Sequence, residues 1–229
     1  MSGTRTGLYG GSFNPVHFGH LRAAEEVRER AELDEVWLIP ASTPPHKDAL
    51  GVAPAEDRLR MLELAVAGGP GLRVEPVELE RSGPSYTIDT IRVLKERHPQ
   101  RSFVLIVGLD AFRDFHTWHR WEEIPFECDL VVTSRPPHEV APGPDALRIA
   151  SPHIAARGTF CYVSDIGSFR HQSGHRLDFI PVTAIDVSAS ALRAAVAAGR
   201  SIRFLTPDAV VEYIAAHGLY AAAPAGTTR

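Results

Sequence analysis

Apolar and charged positions along this chain follow two rhythms. Strand-like runs occur at Thr6–Tyr9, Glu35–Ile39, Leu72–Leu79, Phe103–Val107, Cys128–Thr133 and Asp178–Val182, the third alternating apolar with charged residues. Between them the spacing is helical. Leu21, Ala24, Val27 and Ala31 form one stripe, while Arg22, Glu25, Glu26, Arg28 and Glu29 fill the other face. Ala55–Ala67 repeats this pattern, with Leu59, Leu62 and Val66 apolar and Arg58, Arg60 and Glu63 exposed. A further helix runs to Arg97 with Ser85 or Thr87 as its N-cap, and another runs from a Ser188 cap to about Ala198. The last, from Pro207 to Ala216, has Gly218 as its stop. The succession from Thr6 to Ile39 is a βαβ unit, so parallel pairing and a right-handed crossover are expected. The whole pattern predicts an α/β fold, doubly wound around a mostly parallel sheet in three α/β/α layers.

Phe103–Val107 has no polar interruption and predicts a strand buried on both faces. Phe112, Phe115, Trp118 and Trp121 recur every three residues across a short helical stretch, with Phe112 and Trp121 read as core. From Pro136 to His175 the spacing lapses among Pro, Gly, Ser and His. That stretch reads as a surface excursion with one or two short strands, Thr159–Val163 being the clearest. Residues 1–220 are therefore expected to form one α/β domain containing this excursion, with 221–229 as a flexible tail.

Composition narrows the class. A chain of 229 residues with 44% apolar and 23% charged residues can bury a full core. A formal charge of −4 argues against non-specific nucleic-acid binding, yet leaves room for a locally positive pocket. Cys128 and Cys161 stand in unlike contexts, so each reads as a small buried apolar residue rather than half of a disulfide or a zinc ligand. No stretch approaches the length of a membrane span, and residues 1–5 lead straight into the first strand without a signal peptide. The expected compartment is the cytoplasm.

The chemistry concentrates at the first turn. Gly10 and Gly11 end the first strand, Ser12 and Asn14-Pro15 make the turn, and a helix begins near Gly19 or His20. Adjacent glycines let a ligand approach the backbone and permit positive φ. The helix start offers unpaired N–H groups and the positive end of its dipole to an anion. His17 and His20 face the same place and can donate hydrogen bonds to phosphate oxygens. No G-x-G-x-x-G and no Gly-Lys-Ser/Thr is present, which excludes a dinucleotide fingerprint and a Walker A loop.

Two more elements suit phosphate. The proline-rich loop from Pro40 carries His46 and Lys47 at the C-terminal end of the second strand. The Ser188-capped helix carries Arg193 in its first two turns. Asp110, just past the central strand, is placed to accept ribose hydroxyls, and Trp118 can offer a ring face to a flat heterocycle. His116 and His119 have metal-pair spacing but lack carboxylate or cysteine partners at matching spacing. Without a nucleophile beside a base, or paired carboxylates, the set points to catalysis by positioning and charge stabilisation, as in transfer of a phosphorus group.

These stretches resemble the bacterial nicotinate-mononucleotide adenylyltransferases, members of the nucleotidyltransferase superfamily with the H-x-G-H motif. The resemblance rests on Gly10–Leu21 with its His17-Phe18-Gly19-His20, on Pro44-Pro45-His46-Lys47, and on Gly83–Thr90. It continues through Gly108-Leu109-Asp110 with Trp118, Val187–Arg193, and the ending Glu212–Tyr220, in the family's order over nearly the whole chain. The H-x-G-H motif names only the superfamily, and the Pro-Pro-His-Lys and Ser-Tyr-Thr stretches narrow it.

The resemblance implies a Rossmann-like nucleotidyltransferase fold. It also implies attack by nicotinate mononucleotide on the α-phosphorus of ATP, in line, releasing pyrophosphate without a covalent enzyme intermediate. It makes His17, His20 and Lys47 catalytic, and Gly10, Gly11, Ser12, His46, Ser188 and Arg193 the ATP and phosphate contacts. Thr87, Asp110 and Trp118 become the mononucleotide contacts. Mg²⁺ would arrive on the ATP phosphates with no protein ligand. The implied partners are these small molecules, with no nucleic acid and no membrane, in a monomer or homodimer. Ser12 and Asn14 stand where the family usually has Thr and Asp, Ser188-Ala189-Ser190 replaces the usual late motif, and the 136–175 stretch is longer than the pattern. Two related enzymes remain as alternatives, acting on nicotinamide mononucleotide or on phosphopantetheine, as does a nucleotide-sensing module without turnover.

Overall fold

The computed structural model describes residues 3–42, 52–81 and 83–222. Its eight-stranded sheet is built outward from the centre. β1 (Thr4–Gly11) lies between β2 (Glu35–Pro40) and β4 (Arg101–Gly108), parallel to both. β3 (Leu72–Val74) extends one side; β5 (Asp129–Ser134) and β8 (Arg176–Pro181) extend the other, all parallel. β7 (Ser168–His171) and β6 (Phe160–Val163) then add an antiparallel edge, giving the order β3-β2-β1-β4-β5-β8-β7-β6. The strand order reverses between β1 and β4, so a crevice opens above their carboxyl ends, where ligands of doubly wound sheets bind.

Side chains of β4 divide by parity, as a strand covered on both faces requires. Phe103, Leu105 and Val107 pack with Ile88, Ile91 and Leu94 of α3 (Thr87–Arg97), while Val104 and Ile106 pack with Ala23, Ala24 and Val27 of α1 (Phe18–Arg30). α2 (Ala55–Val66), α8 (Ala189–Ala197) and α9 (Asp208–Ala216) build a further cluster around Phe13, Val16 and Leu38. The expected three-layer arrangement is therefore present.

Several local expectations give way. The third strand stops at Val74 because Pro76 has no N–H to continue a ladder, and Leu79 N turns back to the Pro76 carbonyl instead. Neither Ser85 nor Thr87 caps α3: its N-cap is Tyr86, and Ser85 Oγ accepts from Ser42 N at 3.1 Å. The aromatic stretch forms α4 (Leu109–Arg113) and two 3₁₀ turns rather than one helix; Phe112 is buried but Trp121 only partly so. Cys128 is buried as expected, whereas Cys161 is exposed.

The 136–175 stretch does more than skirt the surface. It supplies β6, β7, α6 (Ala146–Ala150) and α7 (Pro152–Ala156), and it buries Val140, Leu147, Ile154 and Phe169 in the main core with α5 (Ile124–Glu127) nearby.

Two charged residues read as solvent-facing are buried. Glu26 accepts from Arg22 at 2.6 Å and from Thr183 N at 3.0 Å, tying α1 to the segment after β8. Arg58 has the largest fully buried side chain and donates to the carbonyls of Ser12, Ser42 and Ala53 at 3.0, 3.2 and 3.1 Å.

Candidate active site

The first turn is held from several directions. Gly10 and Gly11 remain within β1, and neither takes positive φ; that conformation falls to Phe13 at 44°. Asn14 Oδ1 accepts from Ala53 N at 3.0 Å and from the Tyr220 hydroxyl at 2.6 Å, and Asn14 O accepts from Arg193 Nη1 at 2.8 Å. Thr206 Oγ1 donates to Val16 O at 2.8 Å. A turn pinned by residues from four other parts of the chain is preorganised rather than adaptable.

His17 and His20 stack with ring centroids 3.7 Å apart. Gly19 allows this, because a Cβ there would come within 3.0 Å of His17 Nδ1 and 3.1 Å of Val187 Cγ1. The glycine inside the H-x-G-H motif is thus a packing requirement. His17 N donates to His20 Nδ1 at 3.3 Å, so neutral His20 carries its proton on Nε2.

Burial pushes the His17 imidazole down from 6.5 to about 4, with help from the nearby Arg135 charge. A histidine lowered in this way binds its proton in the unfolded chain first, so its contribution to stability is present above 6.5 and is lost as pH falls toward 4. In the phosphate-free protein the His17 resonances are expected to titrate near pH 4 by NMR and to move upward when a triphosphate binds. Titration near 6.5 without ligand would contradict the buried, neutral ring.

Two cavities border the turn. The larger, about 620 Å³, is lined by Tyr9, His17, His20, Asp110, Arg135 and Ser188 among others. The smaller, about 120 Å³, is lined by Gly10, Gly11, Glu78, Ser85, Thr87, Thr90 and Trp118 among others. Trp118 leans against buried Phe115 with centroids 5.0 Å apart, which fixes its plane while leaving it partly open. The Ser188 hydroxyl caps α8 by accepting from Ala191 N at 3.2 Å.

The structure thus brings His17, His20, Ser188 and Asp110 to one cavity, and Gly10, Gly11, Thr87 and Trp118 to the other. Asp110 stands apart from Thr87 and Trp118, with which it was expected to act, and its side chain is 83% exposed beside Arg113. Arg193 is committed to the Asn14 carbonyl and lines neither cavity. Ser12 contributes its carbonyl to Arg58. His46 and Lys47 lie outside the described residues.

Sequence reading missed Arg135 and Glu78. Arg135 follows β5 on a tight turn closed by His138 N to Arg135 O at 2.9 Å; a strand end at the crevice followed by Arg-Pro-Pro was its only signal. Among the described residues no group of three His, Cys, Asp or Glu side chains could hold a metal, and no helix is long and apolar enough to cross a membrane.

Residues 8–195 match the sequence model of the cytidylyltransferase-like family. A relative from Pseudomonas fluorescens, named as a probable nicotinate-nucleotide adenylyltransferase, is 48% identical over 221 residues, which cover 96% of this chain and 99% of its own. One of the same name from Syntrophotalea carbinolica is 42% identical over 216 residues, covering 94% and 97%. A solved structure of a Plasmodium falciparum nicotinic acid mononucleotide adenylyltransferase complexed with NaAD superposes with a TM-score of 0.69 at 16% identity. That superposition covers 95% of this chain and 97% of the other and is a likeness of fold.

Proposed function

We propose that this chain, which belongs to the cytidylyltransferase-like family and within it to the nicotinate-nucleotide adenylyltransferases, joins nicotinate mononucleotide to the adenylyl group of ATP. The products are nicotinate adenine dinucleotide and pyrophosphate, a step of NAD biosynthesis. The observation that carries this reading is the pair of cavities bordering one rigid, histidine-bearing turn. A bisubstrate transfer needs two pockets and a charged, preorganised boundary between them.

ATP occupies the larger cavity, with its phosphates toward His17, His20, the start of α1 and the Ser188 cap of α8. Arg135 lends positive charge at the same cavity. The pyridine ring of the mononucleotide enters the smaller cavity against Trp118, where the first turn of α3 at Thr87 supplies N–H groups for its carboxylate. Gly10 leaves the ligand room, since a Cβ there would meet nothing within 4 Å. The mononucleotide phosphate displaces pyrophosphate at the α-phosphorus, and the imidazole donors meet charge that grows on the transferred group. Asp110 lies at the mouth of the larger cavity as a ribose contact, Arg193 acts by holding Asn14, and Lys47 with His46 adds positive charge from the loop after β2. The donor set fits a Mg²⁺ that comes bound to the triphosphate, since Asp110 and Asp186 line the cavity singly; such an ion neutralises phosphate charge. The proposed site of this reaction is the cytoplasm.

Pyrophosphate release with ATP and Mg²⁺ tests the reading, with nicotinate and nicotinamide mononucleotides offered in parallel. Strong preference for the acid is the expected result, and no release with either would overturn it. In the same assay Trp118→Ala raises KM for the mononucleotide roughly tenfold, as loss of a stacking face should, and leaves KM for ATP nearly unchanged. Equal losses for both substrates would make Trp118 a core residue only.

A further inference from the structure

The smaller cavity holds an ionisable group that the reaction scheme leaves unused. Glu78, on the turn after β3, lines it beside Ser85, Thr87, Thr90 and Trp118. Its Oε1 accepts from Thr90 Oγ1 at 2.8 Å, and the Ser85 hydroxyl bonds to the same carboxyl group. Ser85 Oγ in turn accepts from Ser42 N. These hydrogen bonds hold the carboxyl in the wall of the cavity. Among the described residues, the others lining this cavity are not ionisable. The charges near Glu78 are those of Arg81, which pairs with Asp89 of α3 at 3.6 Å.

Resting on the reading above, in which the pyridine ring enters this cavity, we propose that Glu78 determines which ring substituent the cavity accepts. A carboxylate is accepted with a proton taken up on Glu78, and a carboxamide is accepted beside the ionised carboxylate. Two carboxylates confined in a cavity of about 120 Å³ repel each other strongly, so sharing one proton between them lowers the cost of the acid's entry. A carboxamide instead brings N–H donors, which an ionised carboxylate accepts. Burial already raises Glu78 above the usual carboxylate range, against the pull of Ser85, Thr90 and Arg81, which favours its protonated form.

The test compares affinities of the full-length protein for nicotinate and nicotinamide mononucleotides by calorimetry between pH 5.5 and 8.5. The mononucleotide phosphate and every other titrating group common to both ligands cancel in the affinity ratio, as does any inactive fraction. The acid-to-amide ratio is expected to fall with rising pH, with a limiting slope of about tenfold per pH unit. Repeating the acid titration in buffers of different ionisation enthalpy should show uptake of up to one proton, absent with the amide. Glu78→Gln should flatten the ratio across the whole range. Parallel pH profiles for the two ligands, a slope that persists in Glu78→Gln, or no binding of either ligand would each overturn the assignment. Binding that obeys these rules without pyrophosphate release would overturn the adenylyl-transfer reading and leave Glu78 standing.

Discussion

His20→Ala lowers turnover by roughly a hundredfold or more, the range seen when one preorganised transition-state donor is removed. The size of the effect follows from where the ring is held. His17 N donates to Nδ1, the stack against His17 fixes the plane, and the ring lines the larger cavity, so a neutral His20 carries its donor proton on Nε2. Alanine removes the donor but leaves Gly19, the His17 ring and the α1 start in place, so substrate still binds. The measurement is steady-state kinetics at saturating mononucleotide. A fall in kcat with nearly constant KM for ATP marks an interaction made in the transition state. A raised KM with unchanged kcat would reduce His20 to a ground-state contact.

Arg58→Leu is expected to cause the largest loss of stability of any substitution near the site. It strips the donor from three carbonyls, those of Ser12, Ser42 and Ala53, the last of them buried and the others partly so. Leaving a buried acceptor unpaired costs about 1–3 kcal/mol. Partial relaxation should leave a net loss on the order of 4 kcal/mol and lower Tm by roughly 10 °C for a chain of this size. Differential scanning calorimetry reads this directly. Arg58→Lys should recover only part of it, since an ammonium cannot span three acceptors in a guanidinium's fork. A Tm within about 2 °C of the parent would mean the carbonyls find other donors.

Arg58 and Glu26 also show where sequence reading stops. The helical rhythm located α1 and α2 correctly, because amphipathic spacing is a local property. It then assigned Glu26 and Arg58, with the charged residues around them, to solvent. Arg58 reaches a carbonyl 46 positions away and Glu26 an N–H 157 positions away, and a helical wheel holds no trace of either partner. By contrast, the H-x-G-H turn was legible because its chemistry is contiguous. Both rings, the glycine that lets them pack and the N–H groups of α1 fall within four residues. The β4 run was legible for a similar reason, since a strand covered on both faces must be apolar throughout.

The 136–175 stretch failed for the opposite reason. Its buried apolar residues, among them Val140, Leu147, Ile154 and Phe169, sit in short elements broken by Pro and Gly, so no period is sustained for more than about two turns. Glu78 escaped notice because an acid in a charged run ordinarily faces water. The turn after β3 and the hydrogen bond from Thr90 of α3 hold it at a cavity instead.

The hydrogen bond from Tyr220 to Asn14 spans 206 positions of the chain. At the pace of protein synthesis, about 5–20 residues per second, the first turn emerges roughly 10–40 seconds before its last support. Thr206 and Arg193 arrive nearly as late. The segment richest in chemistry is thus made well before the residues that hold it in place. A nascent chain carries its histidines early, and the turn that bears them gains its full set of supports only after Tyr220 has been added.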